Sequence, residues 1–535
     1  AYLDWRRWSG DDEGLARARA YADWILEHRT PAGDLYGNLP YSTQTDGVMG
    51  GGWDGPAIMP DKPAMFGLRL LRLYDISGEE SYWNGAVEIA DVLAATRMTG
   101  PVEDDGRWPF RVVPSDGTVT QDYTSHLQPA VRFFDAMAAR TGDPTYAATR
   151  DGAWTWLLAN PCDPSSDSWM RWEGFYEDQT PEQQTGKGDH YSGHEMIVEL
   201  IARQPAGWED LAVTLLDTLS ARYLVTSPSA RYDPYTPITL EWTGWPEATY
   251  ASSMQYARTA LLLHQALAGD PRQDDAWRQI ALDMAAACSH GQNDRGTAAD
   301  GRMFTTVRDL VRYFNVDSWY EQNFNTVKYY LELMDLEPSL APADEVHILS
   351  ADRPLTVVSY PDGIPYVEYA TAGGAGTERI RIFEAPFLVL AGGEFLPEVT
   401  AVPDSVPGWH YDPVAGVLTI RHDRSPVVVA QEYSSVVPVA GAGPLIDLHP
   451  RGPAGAGQTN LHFGMTEPGE VDLEIYDLRG RLVRSLVDRT VFTSGEHRVT
   501  WDGRDDYGRA LGSGLYLVRG RSGSSEARTR VLLVR

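Results

Sequence analysis

The run Asp189-His190-Tyr191-Ser192-Gly193-His194-Glu195 is the densest group of ionisable side chains in the chain. Imidazole, phenol and carboxylate held together can take a proton from carbon or oxygen and return one to a leaving group. About one period earlier, Asp122-Tyr123-Thr124-Ser125-His126 offers the same residue types in the same order. Tyr191, His190, Tyr123, His126, Asp189 and Glu195 are therefore the candidate catalytic groups, with Glu177 and Asp178 as further carboxylates in the preceding loop. A single histidine is more often structural, and an acid at a helix start is more often a cap. Recurrence at corresponding positions is what favours chemistry. His190 and His194 are four apart with Glu195 following, so one helical face can hold a metal, but the His-Glu-x-x-His order of zinc proteases is absent and no metal is assigned.

Arginines and aromatics precede both clusters: Arg107, Trp108 and Arg111 before the first, Arg171 and Trp172 before the second. An aromatic face stacks on the apolar face of a pyranose, and a guanidinium fork meets hydroxyls or carboxylates. Together with His194, Trp53, Trp245, Tyr250, Trp319 and Tyr320 they form the candidate substrate-binding set. The alternative for each tryptophan is packing, and with 17 in the chain some belong to the core.

The elements that must position these residues repeat. Gly78, Gly142, Gly207 and Gly269 each sit between two amphipathic runs, at spacings of 64, 65 and 62 residues by subtraction. Each unit reads helix, tight turn, helix, then a long loop, so neighbours must stack to bury their apolar faces. About ten helices, or five hairpins, are expected. Inner helices should begin near Asp61, Asp122, Asp189, Glu247 and Asp317, outer ones near Gly14, Glu79, Asp143, Gly207 and Pro271. The long loops leading into the inner helices gather on one rim, where function concentrates.

Past Pro338 the pattern becomes β-branched alternation, as in Leu355-Thr356-Val357-Val358 and Val417-Leu418-Thr419-Ile420. The expected fold class is multidomain, α then β. An incomplete (α/α)5-6 toroid of helical hairpins over 1–338 precedes a β-sandwich over 339–438, a Gly/Ala/Pro-rich linker over 439–457 and a second β-sandwich over 458–535. The last segment carries Val471-Asp472-Leu473-Glu474-Ile475-Tyr476, Trp501-Asp502-Gly503-Arg504-Asp505-Asp506-Tyr507-Gly508 and Ser513-Gly514-Leu515-Tyr516. In order and spacing these resemble the immunoglobulin-like module of flagellar hook-capping proteins and of C-terminal sorting domains in secreted bacterial proteins. The resemblance implies a secreted or cell-surface bacterial protein. Asp502, Asp505 and Asp506 suit a solvated hairpin turn, with a structural calcium as the alternative; no cofactor is required.

Hairpin ring followed by β domain resembles the α/α-toroid carbohydrate-active enzymes, among them polysaccharide lyases and toroidal glycoside hydrolases. That likeness is architectural and implies a polysaccharide or oligosaccharide substrate. A lyase takes the proton α to a uronate carboxylate and needs a base, an acid and a group that neutralises the carboxylate, here Arg111 or Arg171. A hydrolase needs two carboxylates. An epimerase shares the lyase's first step, and a non-catalytic glycan-binding or surface-assembly protein needs only the aromatic cleft. The Tyr, His and Arg clusters favour the lyase slightly.

Composition narrows the field. With 75 acidic against 45 basic residues the formal charge is −30, which opposes nucleic-acid binding and also argues against a polyanionic substrate. Lys62, Lys187 and Lys328 are the only lysines. No nucleotide-binding fingerprint stands in a convincing context, and no apolar run approaches the roughly 20 residues of a membrane span. Cys162 and Cys288 leave one bridge or two thiols open. A first residue other than Met suits a mature chain, and a monomer is expected.

Overall fold

A computed structural model describes residues 2–533 except 42–43, 46–47, 50–56, 102, 175–189, 227–235, 243–244, 249, 290–319, 361–365, 402–405, 432–444, 456–457, 478–480, 513 and 524. Its chain forms two compact units, residues 1–385 with 398–425, and 386–397 with 426–535.

Eleven α-helices are described in the first unit: α1 (Tyr2–Ser9), α2 (Glu13–Glu27), α3 (Asp61–Ser77), α4 (Glu80–Thr96), α5 (Gln128–Thr141), α6 (Pro144–Ala159), α7 (Tyr191–Arg203), α8 (Trp208–Tyr223), α9 (Tyr250–Ala266), α10 (Asp275–Ser289) and α11 (Tyr320–Leu336). The pairs α1–α2, α3–α4, α5–α6, α7–α8 and α9–α10 are antiparallel hairpins, and α11 is a further inner helix. Five hairpins and one inner helix make the incomplete toroid expected from the period.

Gly78 and Gly142 end their helices at φ 69° and 70°, where their N–H groups bond Tyr74 and Ala138 carbonyls. A side chain is strained in that left-handed conformation, which is why the turn keeps glycine. In the third copy Gln204 takes the left-handed position at φ 46° and Gly207 starts the next helix instead.

The inner helices α3, α5, α7, α9 and α11 contact one another in that order. Helix α1 completes the sequence. Its Asp4 accepts from Arg72 of α3 at 2.9 Å, while Trp8 packs in a cluster with Leu331 and Met334 of α11. One continuous apolar core fills the space between the layers, with Phe133, Phe134, Trp156, Leu215 and Met254 fully enclosed.

Short strands decorate the loops that lead into the inner helices: β1 (Gln44–Thr45) with β2 (Val48–Met49), β3 (Arg111–Val112) with β4 (Val119–Gln121), and β5 (Leu224–Val225), β6 (Ile238–Trp242) and β7 (Trp245–Ala248) in one small sheet. Still in the first unit, β8 (His347–Ala351), β9 (Leu355–Ser359), β10 (Tyr366–Thr371) and β11 (Gly376–Arg381) follow α11. An antiparallel sheet runs in the order β14-β15-β11-β8, with β14 at Gly408–Asp412 and β15 at Val417–His422, while β9 pairs with β10. Helix α1 anchors to these strands. Arg6 donates to the Leu355 carbonyl at 2.8 Å, and the Trp8 and His347 rings stack at 3.8 Å.

In the second unit β12 (Pro386–Ala391) pairs with β13 (Glu394–Phe395) and with β16 (Val427–Gln431). Two further sheets follow. One has the order β17-β18-β21 (Leu445–Gly455, Gln458–Met465, Gly495–Trp501), the other β20-β19-β22-β23 (Leu482–Phe492, Gly469–Tyr476, Gly514–Ser522, Ser525–Leu533). Alternate residues Val471, Leu473 and Ile475 enter a core with Phe463, Trp501 and Val518. Part of the stretch read as a linker, Leu445–Gly455, is thus strand β17; as an edge strand it tolerates the Pro and Gly that suggested a linker. Asp502 and Asp505 accept the Arg504 and Tyr507 N–H groups within their turn, while Asp506 accepts the Ser485 N–H of β20.

Candidate functional site

Contacts between neighbouring inner helices carry the repeat period in their sequence separations. Gln128 donates to the Ser192 carbonyl and Gln255 to the Tyr191 carbonyl, each 64 residues away. His126 meets Ser192 at a separation of 66, and His190 meets Ser252 at 62. Equivalent positions of successive hairpins therefore touch. The histidine preceding one inner helix leans on a serine in the first turn of the next, because stacked units present the same face to each neighbour.

His126 is the centre of this arrangement. Its Nδ1 lies 3.2 Å from the Ser192 hydroxyl, and its Nε2 lies 3.9 Å from a carboxylate oxygen of Asp61 at the start of α3. Lys62 Nζ stands 3.2 Å from the same Asp61 oxygen, and the Tyr191 ring centre is 5.4 Å from the imidazole. Asp61, His126 and Ser192 are buried, whereas Lys62 and Tyr191 are only partly so. Burial, joined by the Lys62 charge, pushes the His126 imidazole well below its ordinary range, so it is neutral at pH 7. A neutral imidazole can accept a proton, and Asp61 is placed to steady the imidazolium that results.

A second group lies one hairpin further on. His190 Nε2 is 2.8 Å from the Ser252 hydroxyl, and its ring packs edge-on against His194 and Tyr223. Burial lowers His190 to about 3, and His194 falls likewise through burial and the neighbouring His190. Both are neutral and enclosed.

Glu195 has a different role from the one expected. It accepts from Arg132 of α5 at 2.5 Å and from Gln255 at 3.2 Å, and Arg258 of α9 approaches to 3.8 Å. Arg132 also bonds Glu199, and Arg258 bonds Glu332 of α11 at 2.9 Å. Burial raises the Glu195 carboxyl, but Arg132, Arg258 and Lys328 override that and hold it below the carboxylate range. An acid so firmly ionised is a poor proton donor at neutral pH. Glu195 ties three inner helices together, which corrects its assignment as a catalytic group.

Several candidate binding residues are also reassigned. Trp108 is 1% exposed, donates its indole N–H to the Leu93 carbonyl and stacks on Phe134; Trp172 is 0% exposed. Neither has a face left for a sugar. Arg107 is buried and clamps its own loop through Asp122 and Asp104, so Asp122 pairs with it rather than opening a helix. Arg111 and Tyr250 are buried too. Arg171 is exposed, its guanidinium 3.8 Å from the Tyr123 ring centre, and Tyr123 donates to the Arg171 carbonyl. Burial raises the Tyr123 phenol despite Arg171. Trp53, Glu177, Asp178, Asp189 and Trp319 lie outside the described residues, as do the side chains of Trp245, Glu247 and Tyr320. Ser192, Ser252, Gln128 and Gln255 were missed; each is a polar residue in the first turns of an inner helix, one repeat from its partner, which is the signal that could have found them. Asp61 was noticed only as a helix start.

Residues 453–524 match the family model of the FlgD Ig-like domain. No curated protein matches the chain. Among solved structures, an unsaturated glucuronyl hydrolase from a Bacillus species is similar at 13% identity over 63% of this chain and 84% of its own, with a TM-score of 0.40. A family 76 glycoside hydrolase (mannosidase) from Bacteroides thetaiotaomicron is similar at 13% identity over 60% and 82%, with a TM-score of 0.39. A polysaccharide lyase is similar at 11% identity over 57% and 77%, with a TM-score of 0.36. Likeness of this degree assigns no reaction to the chain.

Proposed function

We propose that the chain is a carbohydrate-active enzyme that cleaves a uronate-containing polysaccharide by β-elimination at the starts of the inner helices. The observation that carries this reading is the partly exposed Tyr191 set beside the neutral, buried His126, which Ser192 and Asp61 hold from either side. In this reading the Tyr191–His126 pair takes the proton α to the uronate carboxylate. The carbon–oxygen bond of the glycosidic link then breaks as the ring double bond forms, and a proton from the same pair goes to the leaving oxygen. Lys62 and the exposed Arg171 supply positive charge for the substrate carboxylate, which makes loss of the adjacent proton tolerable. The FlgD-type module supports a secreted or surface location.

A hydrolytic reading has Asp61 in its favour, a buried carboxylate at the same spot, but it needs a second one about 5–9.5 Å away. Incubation with a panel of polysaccharides separates the two. Ultraviolet absorbance of an unsaturated uronate signals elimination; new reducing ends without it signal hydrolysis. Tyr191→Phe and His126→Ala should each lower kcat by about 10²–10⁴ with the fold intact. Unchanged turnover in both, or no product from any uronate polymer, refutes the proposal.

A further inference from the structure

At the far end of α3 from Asp61 lies a cavity of about 280 Å³, lined by α1, the last turns of α3 and the β8–β9 turn. Asp61 and Arg72 are eleven residues apart on that helix, or roughly 16 Å at 1.5 Å per residue, so this cavity is separate from the proposed active site. Four arginines face it, Arg6, Arg7, Arg72 and Arg353, against the two acids Asp4 and Asp352. In a chain with a formal charge of −30 such a concentration of positive charge is unexpected.

The charges in the cavity are not equally used. Arg6 is spent on Asp12 and on the Leu355 and Thr356 carbonyls, and Arg72 bonds Asp4 at 2.9 Å. Arg72 and Arg7 hold the half-buried Asp4 carboxyl ionised against its desolvation. Asp352 accepts the Thr377 N–H. That leaves Arg353, and Arg7, whose charge acts on Asp4 without a direct ion pair. Among the described residues neither has an ion-pair partner, Arg353 is exposed, and Arg7 Nε is buried with no hydrogen-bond acceptor. That Nε is closed to solvent, so an oxyanion in the cavity would meet the guanidinium groups of Arg7 and Arg353 by their outer nitrogens. Arg forks match planar or tetrahedral oxyanions, and their bonds to charged oxygens are about twice as strong as neutral ones.

We propose that this cavity binds an oxyanion, a carboxylate or sulfate carried by a saccharide no larger than about one ring, through Arg7 and Arg353. Its volume falls just under the roughly 300–1,000 Å³ of sites for drug-sized ligands, which suits a group of that size. Inorganic phosphate or sulfate shares the chemistry. The site stands whether or not the active-site proposal does, because it uses none of the same residues.

The test is calorimetric titration of the full chain with galacturonate, a monosulfated hexose and inorganic phosphate at low salt. At least one probe should bind, and Arg7→Gln with Arg353→Gln should weaken it tenfold or more while His126→Ala leaves it unchanged. Added salt should weaken binding, as expected for an exposed charge pair. Saccharide binding stronger than phosphate binding identifies the sugar source; the reverse identifies a free ion, and either keeps the site. Binding unaffected by the double substitution, or none of the three probes binding at tens of millimolar, overturns it.

Discussion

Replacing Glu195 by glutamine should unfold the helical unit more easily without abolishing its chemistry. The carboxylate contacts Arg132 at 2.5 Å and Arg258 at 3.8 Å, so the substitution removes one charge from a buried network linking α5, α7 and α9. Breaking a buried pair costs about 3–5 kcal/mol when the partner is stranded. Here neither arginine is stranded, because Arg132 keeps Glu199 and Arg258 keeps Glu332. A loss below that range, about 1.5–3 kcal/mol, is therefore expected. The pH dependence has a definite sign. A carboxyl depressed in the folded state stabilises above its unfolded value near 4.3 and loses that contribution as pH falls through the folded value. The difference between the wild-type and substituted chains should hold from pH 7 to pH 5 and shrink only in stronger acid. Urea unfolding followed by helical circular dichroism measures it. Turnover of the folded fraction should stay within about tenfold, whereas a general acid would cost about 10²–10⁴. A stability change under 1 kcal/mol together with a catalytic collapse would refute the structural role.

Gly67→Ala places a Cβ 2.5 Å from two Phe133 ring atoms between α3 and α5; a gain of up to about 1 kcal/mol in helix propensity loses to overpacking of about 1–3 kcal/mol. Net destabilisation, relieved by Phe133→Leu in a double-mutant cycle, is expected from thermal melts, and a more stable Gly67→Ala chain would contradict it. In the β layer of the first unit, burial lowers His422 but Glu378 at 3.0 Å outweighs it and raises the imidazole. Its stabilisation is complete below about pH 6.5 and is lost as pH rises through the folded value, so His422→Gln should narrow its deficit on going from pH 6 to pH 9 in urea titrations. Cys162 and Cys288 are separate buried thiols whose ionisation burial disfavours. A thiol reagent should find neither in the native chain and both after denaturation, and fast native labelling would contradict their burial.

Helical hairpins were legible because their signal is local: a left-handed turn glycine between two apolar stripes, repeated. The period also pointed to the proposed site, since His126 and His190 fall where successive units meet. Chemistry was less legible. Trp108 and Trp172 look like sugar platforms in a list of aromatics, yet what decides their role is whether α5 and α7 cover their faces, a tertiary fact. Glu195 looked catalytic beside two histidines; Arg132 and Arg258, 63 residues to either side, make it structural. Helix α1 escaped notice for the same reason. Its eight residues acquire meaning from carbonyls about 350 positions away.

That clasp sets an order of events during synthesis. Arg6 bonds the Leu355 carbonyl across 349 residues, so at about 5–20 residues per second the first helix waits roughly 20–70 s for its partner strand to be made. Later hairpins can dock on earlier ones as they emerge, each new unit finding its neighbour about 64 residues back. Helix α1 does so only in part: Asp4 can meet Arg72 early, whereas Trp8 lacks its native cover until Leu331, Met334 and His347 have been made.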